Sequence, residues 1–306
     1  MSLPVARVAV IVPCYNYGHF LAESLSSLQS QTYPLWECVI VDDGSTDATR
    51  EVAAALMSRD DRFTYLRQKR GGPSRARNAG LATTSGEYIQ FLDADDRLEP
   101  DKLRAHVDYL ERHPDVGIVY GDAVTFGPER DDRVVSPLAL GGPVGSGSGT
   151  IDRFVVGNPL VVEAPLVRRT VVDGVGMFSE GLFSLEDWDL WTRCAVAGVT
   201  FARHAPPGTE ALVRLHPTSM SRDPRRMLAP TVEARRRFAR LALPASARAM
   251  NERYLGRARV RLALLELSQG RVGNTVLGLM RAVPHLTRAR LYAWGRGVHP
   301  PSASGA

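Results

Sequence analysis

The sequence predicts an α/β fold in which a mostly parallel, Rossmann-like sheet is flanked by helices. Two observations support this prediction. Apolar runs alternate with amphipathic segments over roughly the first 125 residues, and acidic residues follow several of these runs. Such alternation is typical of strand–helix–strand units, which bind ligands at the carboxyl ends of the strands. With 306 residues, 44% of them hydrophobic and 23% charged, the chain is long enough to bury an ordinary core.

The individual elements follow from the spacing of apolar residues and from turn signals. The predicted strands are Val8–Pro13, Glu37–Val41, Phe63–Arg67, Tyr88–Leu92 and Gly117–Tyr120. The predicted helices are Phe20–Gln31, one capped by Asp47 and ending near Ser58, Ser74–Ala82, Asp101–Arg112 and Leu185–Ala197. The segment Ser136–Thr150 is rich in Gly, Ser and Pro, so we expect a mobile loop there.

Charge divides the chain into two parts. From Arg222 to the end there are 17 arginines and four acidic residues, a net charge of +13, so the first 221 residues carry −8. We therefore expect an α/β domain over 1–221, a basic helical extension over 222–299 and a disordered tail over 300–306. Within the extension, Asn251–Ser268 and Val272–Val283 are predicted to form a helical hairpin. A basic extension indicates an anionic partner.

Hydropathy and cysteine content bear on the cellular location. No run approaches the roughly 18 to 20 apolar residues of a spanning helix, and the first apolar run is expected to be a strand, not a signal peptide. Cys14, Cys38 and Cys194 are widely spaced, which argues against a disulfide framework or a zinc site. We expect a cytoplasmic protein with reduced thiols.

Candidate ligand-binding residues follow the first two strands. Pro13, Tyr15 and Asn16 come after the first strand, and the Tyr15 ring is suited to stack on a base. Asp42 and Asp43 come after the second, where a carboxylate can accept a hydrogen bond from a uracil imino group or a ribose hydroxyl. Asp-Asp-Gly-Ser is also typical of an ordinary turn before a capped helix, so both interpretations stay open.

The next candidate is the pair of carboxylates in Asp93-Ala94-Asp95, directly after the fourth strand. Mg²⁺ and Mn²⁺ prefer oxygen ligands and often bind one or two carboxylates together with substrate phosphates. Two carboxylates two residues apart can serve a metal and a ribose at once. An acidic turn that begins the next helix has the same pattern.

A further acidic group, Glu186-Asp187, begins the helix Leu185–Ala197. Asp187 is suited to take a proton from a hydroxyl, but carboxylates in a first turn also stabilise a helix through its dipole. His216 follows in Arg214-Leu215-His216-Pro217, where a metal ligand, a phosphate contact and a simple loop histidine are all consistent with the pattern.

Six motifs in a fixed order resemble glycosyltransferase family 2, which are inverting enzymes with the GT-A fold. The resemblance covers roughly residues 5–220, and its order makes it far more specific than any single motif. The motifs are Val12-Pro13-Cys14-Tyr15-Asn16, Ser30-Gln31-Thr32-Tyr33, Val41-Asp42-Asp43-Gly44-Ser45-Thr46-Asp47, Gly72-Pro73-Ser74-Arg75-Ala76-Arg77-Asn78-Ala79-Gly80, Gly86-Glu87-Tyr88-Ile89-Gln90-Phe91-Leu92-Asp93-Ala94-Asp95-Asp96 and Glu186-Asp187-Trp188-Asp189-Leu190-Trp191.

The resemblance implies a role for each matching residue. Asp43 is the expected base contact, Asp95 the main metal ligand and Asp187 the catalytic base. The full set of implied nucleotide and donor contacts is Pro13, Tyr15, Asn16, Asp42, Asp43, Arg75, Asn78 and Asp93, and the implied metal ligands are Asp95, Asp93 and His216.

The resemblance also implies a reaction. A sugar moves from a nucleoside diphosphate sugar, with UDP as the expected nucleotide, to an acceptor hydroxyl with Mn²⁺ or Mg²⁺ as cofactor. The products would belong to polysaccharide, glycolipid or related glycoconjugate biosynthesis. One alternative is a sugar nucleotidyltransferase, but the Gly-rich triphosphate loop of such enzymes is not seen after the first strand, where glycine is delayed to Gly18. The other is a non-catalytic nucleotide-sugar-binding module, which the retained carboxylates disfavour.

The basic extension leaves its partner open. Arg253, Arg257 and Arg261 recur every fourth residue, and Arg235, Arg236, Arg237 and Arg240 form a second cluster. One interpretation is peripheral contact with the inner membrane face near a lipid-linked acceptor, aided by Leu291, Tyr292 and Trp294. The other is that the apolar face packs on the α/β domain or on a second subunit of a homo-oligomer; that face comprises Tyr254, Leu255, Ala258, Leu262 and Leu265. Nucleic acid is not expected, because the arginines lack interleaved aromatic residues.

Overall fold

The structure is a computed structural model that describes residues 7–127, 130–135, 142–217 and 225–270. It divides into two compact units, Met1–Ser219 and Met220–Ala306. The predicted tail 300–306 and the predicted helix Val272–Val283 lie outside the described residues.

The first unit contains eleven strands and seven helices among its described residues. The strands are β1 Val8–Cys14, β2 Trp36–Asp42, β3 Phe63–Arg67, β4 Tyr88–Phe91, β5 Arg97–Leu98, β6 Ile118–Tyr120, β7 Ala123–Gly127, β8 Arg130–Val135, β9 Pro165–Arg168, β10 Phe201–Arg203 and β11 Ala211–Arg214. The helices are α1 Gly18–Gln29, α2 Thr49–Met57, α3 Pro73–Thr83, α4 Lys102–Arg112, α5 Ser148–Val156, α6 Arg169–Val175 and α7 Glu186–Val196.

The main sheet has seven strands in the order β10-β6-β9-β4-β1-β2-β3. All neighbours are parallel except β9, which runs antiparallel to both β4 and β6. The prediction of a mostly parallel, Rossmann-like sheet flanked by helices is confirmed. The reversed direction of β9 matters for the site, because the residues just before β9 enter the sheet at the carboxyl ends of its neighbours.

The centre of the sheet is buried on both faces, which explains the unbroken apolar run of β1. Helix α1 buries Leu21, Leu25 and Leu28, the face that its spacing predicts. Helix α3 packs so closely that a Cβ added to Gly80 would lie 2.5 Å from Cγ2 of Ile11. Close backbone approach therefore fixes α3 against the sheet.

A second sheet of four short strands, in the order β5-β11-β7-β8, was not predicted. β5 has two residues and β11 has four, too few to show an alternating pattern. β5 and β11 are antiparallel, with Leu98 opposite Ala211. This pairing brings the segment after β11 next to the residues that follow β4.

One expectation about a loop was partly wrong. Residues 148–150, at the end of the predicted loop Ser136–Thr150, begin helix α5. Its buried residues Ile151, Phe154 and Val155 have helical spacing, and this packing outweighs the local Gly and Ser content. Residues 136–141 lie outside the described residues.

The second unit contains α8 Leu228–Phe238 and α9 Ala245–Ser268 among its described residues. α9 begins six positions before the predicted Asn251, and its described partner is α8, which precedes it. Leu255 and Ala258 are buried with Val232 of α8, and Leu262 packs against them. Much of the apolar face of α9 is therefore occupied within the unit.

The second predicted basic cluster is not uniformly solvated. Arg235 is buried, and its guanidinium lies 4.7 Å from the centre of the Tyr254 ring. Burial lowers its pKa to about 10. Arg236 and Arg237 both approach Glu233, at 3.6 and 3.5 Å. These three side chains therefore interact with residues of α8 and α9.

Candidate active site

Three neighbouring strands place their carboxyl ends at one edge of the main sheet. β1 lies between β4 and β2, with Cys14 opposite Asp42 and Ile11 opposite Phe91. The residues that follow these strands therefore meet at this edge, as the sequence predicts. Glu163, two residues before the antiparallel β9, joins the same edge.

The loop after β1 is linked to the loop after β2 through Asn16. Asn16 has a left-handed backbone (φ 58°), its N–H donates to Oγ of Ser45 at 3.0 Å, and its Oδ1 accepts from N–H of Thr46 at 2.8 Å. Tyr15 lies beneath Arg70, whose guanidinium is 4.1 Å from the ring centre. Pro13 stays in the β1 ladder opposite Val41. These residues shape the two loops at the predicted nucleotide site.

The two carboxylates after β2 have different surroundings. Asp42 is fully buried; it accepts hydrogen bonds from the Tyr65 hydroxyl at 2.5 Å and from the Ser45 N–H at 2.7 Å. Burial raises the pKa of Asp42, but these hydrogen bonds outweigh it, so the pKa lies below its ordinary value. Asp43 accepts from N–H of Gly71 and Gly72, both at 2.8 Å. Asp42 thus fixes its own turn through Ser45, and Asp43 fixes the loop after β3 through Gly71 and Gly72.

Two arginines of helix α3, the predicted Arg75 and its neighbour Arg77, have different surroundings. Arg75 is exposed, whereas Arg77 is fully buried. Arg77 donates to Oδ1 of Asp93 at 2.6 Å and to Oε1 of Glu186 at 2.5 Å. Its position was missed, although Ser74, Arg77 and Leu81 have the three- and four-residue spacing of a buried helix face.

Asn78 faces a turn rather than open solvent. Its Nδ2 donates to the backbone O of Phe178 at 2.9 Å, and its Oδ1 accepts from the N–H of the same residue at 3.0 Å. Both ends of its amide are therefore used to hold the segment that leads to α7.

Acidic side chains cluster after β4. Carboxylate oxygens of Asp93, Asp96 and Glu163 all lie within 4.8 Å of one another. Asp96 and Glu163 are buried, and burial together with neighbouring negative charges raises both pKa values well above their ordinary range. Sequence reasoning missed Glu163; its only signal is a single acidic residue within the apolar segment Leu160–Ala164.

Asp95 is held by the end of β11 and the segment that follows it. Its Oδ2 lies 3.0 Å from Nε2 of His216, which is buried beside Tyr17 and Phe20. The backbone N–H of Arg214 donates to Asp96 at 2.6 Å, and Nε of Arg214 donates to the backbone O of Asp95 at 2.8 Å. The structure thus pairs two of the predicted metal ligands, Asp95 and His216, whereas the third, Asp93, converges with Asp96 and Glu163 instead.

Asp187 lies in the first turn of α7, after Leu185 in a left-handed conformation (φ 60°). Its Oδ2 accepts from Nδ2 of the exposed Asn158 at 2.8 Å, and its Oδ1 accepts from N–H of Trp188 at 2.7 Å. Burial and the charge of Glu186 raise the pKa of Asp187 to about 7. A carboxylate in this range is suited to accept a proton near neutral pH.

The donor set after β4 fits a hard divalent cation, because it consists of several carboxylate oxygens at one place. The pKa values of Asp96 and Glu163 are raised because both carboxyls are buried close to other carboxylates, whose repulsion a bound cation would offset.

Comparisons with known proteins agree with this geometry. A family model described as "Glycosyl transferase family 2" matches residues 9–150, which include β1, β2, β4 and the acidic cluster after β4 except Glu163. Residues 9–150 therefore contain a glycosyltransferase family 2 domain.

Curated relatives support the same family. An uncharacterized glycosyltransferase of Rickettsia felis is 31% identical over 197 residues, covering 62% of this chain and 30% of that protein. Glycosyltransferase GlyA of Streptococcus pneumoniae serotype 4 is 44% identical over 95 residues, 31% of this chain and 14% of that protein. The putative teichuronic acid biosynthesis glycosyltransferase TuaG of Bacillus subtilis is 37% identical over 105 residues, 34% of this chain and 41% of that protein. The chain thus spans less than half the length of these relatives.

Solved structures show the same fold. S. aureus TarS 1-349 in complex with UDP has a TM-score of 0.66 at 18% identity, covering 98% of this chain and 95% of that one. Mannosyltransferase PcManGT from Pyrobaculum calidifontis, in complex with GDP-Man and Mn²⁺, has a TM-score of 0.63 at 21% identity, covering 96% and 81%. The predicted GT-A fold is thereby confirmed.

Proposed function

We propose that the chain is a metal-dependent, inverting glycosyltransferase that moves a sugar from a nucleoside diphosphate sugar to an acceptor hydroxyl. The observation that carries the proposal is Asp187, whose carboxylate has a pKa raised to about 7 at the start of α7. Arg77 and Glu186 connect this segment to Asp93, one of the predicted donor contacts.

The chemistry assigned to these residues is a single displacement. Asp187 takes the acceptor proton as the acceptor oxygen bonds to the anomeric carbon, and the bond from that carbon to the diphosphate oxygen breaks on the opposite face. Asn158 donates to Asp187 and thereby orients the carboxylate. Base catalysis of this kind typically supplies about 10²- to 10⁴-fold.

Asp95 and Asp93 are the proposed ligands of a Mn²⁺ or Mg²⁺ ion, with Asp96 and Glu163 beside them and His216 bonded to Asp95. When bound, the ion supplies charge that stabilises the departing diphosphate. Asp43, Asn16, Tyr15 and Pro13 shape the proposed nucleotide site, with exposed Arg75 at its edge.

UDP is the proposed nucleotide, and polysaccharide or glycolipid assembly is the proposed setting. TarS is described in complexes with UDP and UDP-GlcNAc, whereas PcManGT is described with GDP-Man, so both nucleotides belong in the test. The name of TuaG, a relative assigned to teichuronic acid biosynthesis, supports a polymer-forming pathway.

A thermal-shift panel tests this proposal directly. We expect unfolding temperature to rise with one nucleoside diphosphate and its sugar in the presence of Mn²⁺, and the rise to shrink with EDTA. Donor consumption should then release nucleoside diphosphate. Pyrophosphate release from a nucleoside triphosphate and a sugar phosphate would instead identify a nucleotidyltransferase, and binding without turnover would identify a non-catalytic module.

We also propose that the outward face of α9 associates with an anionic lipid surface at the cytoplasmic side of a membrane. Arg253, Arg257 and Arg261 are exposed along one stripe, and Leu264 and Leu267 are exposed beside it, at 54% and 47%. Arginines near a membrane are attracted to anionic lipid headgroups, and exposed leucines beside them can enter the interface. Among the described residues, no helix is both long and apolar enough to cross a membrane. If the acceptor is lipid-linked, association with the membrane would bring the active site close to it.

A further inference from the structure

Arg77 connects two parts of the site that arise far apart in the sequence. Its two terminal nitrogens donate to Asp93, directly after β4, and to Glu186, the residue before the base. The Arg77 side chain is 2% exposed, and Glu186 is also buried. Among the described residues, the Arg77 Nε has no hydrogen-bond partner, so the hydrogen bonds of this guanidinium go to these two carboxylates.

The helix that carries Arg77 is rigidly placed. Gly80, three residues further along α3, lets the helix approach Ile11 of β1 at backbone distance. One turn earlier, Ser74 donates through Oγ to the backbone O of Leu182 at 3.0 Å. The segment Leu182–Glu186 is therefore hydrogen-bonded to α3 at both ends, at Leu182 by Ser74 and at Glu186 by Arg77.

This segment contains a backbone conformation that needs such support. Leu185 has φ 60°, a left-handed conformation that a branched side chain rarely adopts, and it directly precedes Glu186 and Asp187. With both ends of the segment fixed, the first turn of α7 keeps one orientation, and so does Asp187.

We propose that Arg77 is a positioning residue for the transfer reaction, a proposal that rests on the proposed function. Arg77 holds Asp93 on the donor side and the Glu186–Asp187 turn on the acceptor side at a fixed distance and orientation. A guanidinium suits this task because its planar fork bonds two carboxylates in set directions, whereas an ammonium acts as a compact point charge. If Arg77 and its two carboxylates only stabilised the fold, apolar side chains of similar size could replace all three without loss of stability.

The same arrangement sets the charge around the base. The charged groups that act on Asp187 are Glu186 from its own helix, which raises its pKa, and Arg77 from α3, which lowers it. Asn158, which precedes β9, contributes a neutral donor. Removing Arg77 and removing the charge of Glu186 should therefore move the Asp187 titration in opposite directions.

The test follows the ¹³C NMR signal of the Asp187 carboxyl in the free protein, assigned by its loss in Asp187→Asn. We expect Glu186→Gln to lower the titration midpoint by roughly one unit and Arg77→Met to raise it by a smaller amount. Arg77→Lys should leave the midpoint near that of wild type while kcat still falls at least about 10-fold, because the fork is lost.

Arg168→Met is the matched control. Arg168 is also largely buried and donates to the backbone O of Val116 and Leu110, but it lies opposite Tyr88, at the other end of β4. Its loss should reduce stability without moving the Asp187 titration.

The outcomes separate the two proposals. Equal midpoints in wild type, Arg77→Met and Glu186→Gln would overturn the role of Arg77, and so would an Arg77→Lys enzyme with wild-type kcat. If Arg77→Met does not fold, Glu186→Gln and Arg77→Lys still decide the question. If the wild type transfers no sugar, the proposed function fails, whereas the titrations still show whether Arg77 sets the state of Asp187.

Discussion

Nε2 of His216 lies 3.0 Å from Oδ2 of Asp95, joining two residues 121 positions apart in the chain. The contact depends on β11, which pairs with β5 just after Asp95 and Asp96. Its consequence is that the orientation of a predicted metal ligand depends on a histidine from a distant loop.

The first prediction concerns this pair. Asp95→Asn should lower turnover at least about 100-fold, because a charged ligand is lost. His216→Gln should cost roughly 10- to 100-fold, since partners that orient a ligand matter nearly as much as the ligand itself. Steady-state rates at varied Mn²⁺ measure both effects. Asp115→Asn, an exposed carboxylate before β6, is the control and should behave as wild type. Full activity in EDTA would contradict the metal role.

The sequence predicted the parts of this site that follow strands of the main sheet. β1, β2 and β4 are mostly apolar segments, so their ends and the carboxylates there could be placed from the alternation of apolar and amphipathic segments. The acidic pair Asp93 and Asp95 was singled out in this way, whereas Asp187 was singled out as a carboxylate in the first turn of a predicted helix. The order of the motifs implied their roles.

Other parts depend on tertiary contacts that no local pattern encodes. Glu163 reaches the acidic cluster only because β9 runs antiparallel between β4 and β6. Asp42 was predicted to contact the nucleotide, yet its burial under Tyr65 is visible only when β3 is paired with β2. Arg75 and Arg77 lie in the same motif, and only the packing of α3 shows that Arg77 is the buried one of the two.

The second prediction is the pH dependence of the reaction. A general base works only when deprotonated, and the pKa of Asp187 is raised to about 7. We therefore expect kcat/KM to rise with pH up to about 7 and then to level off. Asp187→Asn should remove this limb and lower kcat, while donor affinity stays nearly unchanged. Asp173→Asn, at an exposed position on α6, should keep the wild-type profile. A collapse of donor affinity in Asp187→Asn would make Asp187 a binding residue instead.

The third prediction concerns stability at the same residue. The pKa of Asp187 is raised in the folded protein from 3.8 to about 7, so between these values the folded state binds more protons than the unfolded state. The free energy of unfolding should therefore fall as pH rises through this window. Asp187→Asn removes this penalty. The free energy of unfolding of the variant minus that of wild type should therefore be about 1–3 kcal/mol larger at pH 8 than at pH 4. Urea unfolding at both pH values measures it. An equal difference at the two pH values would contradict the raised pKa.

The last prediction concerns the outward face of α9. Arg253, Arg257 and Arg261 are exposed together with Leu264 and Leu267, whereas the opposite face packs on α8. Each arginine near an anionic surface contributes about 1 kcal/mol, so changing all three to glutamine should weaken binding to anionic liposomes on the order of 100-fold at low salt. Flotation with anionic and neutral liposomes measures this.

The matched control removes the same charge from α8 and the residues just after it. Arg236 and Arg237 share Glu233, so Arg236→Gln, Arg237→Gln and Arg240→Gln together should reduce flotation much less. Added salt should release the wild type, because screening acts on exposed charges. If the full chain ignores anionic liposomes at low salt, or if the two triple variants lose binding equally, then this α9 face is not a lipid-binding surface. In that case α9 serves to pack against α8.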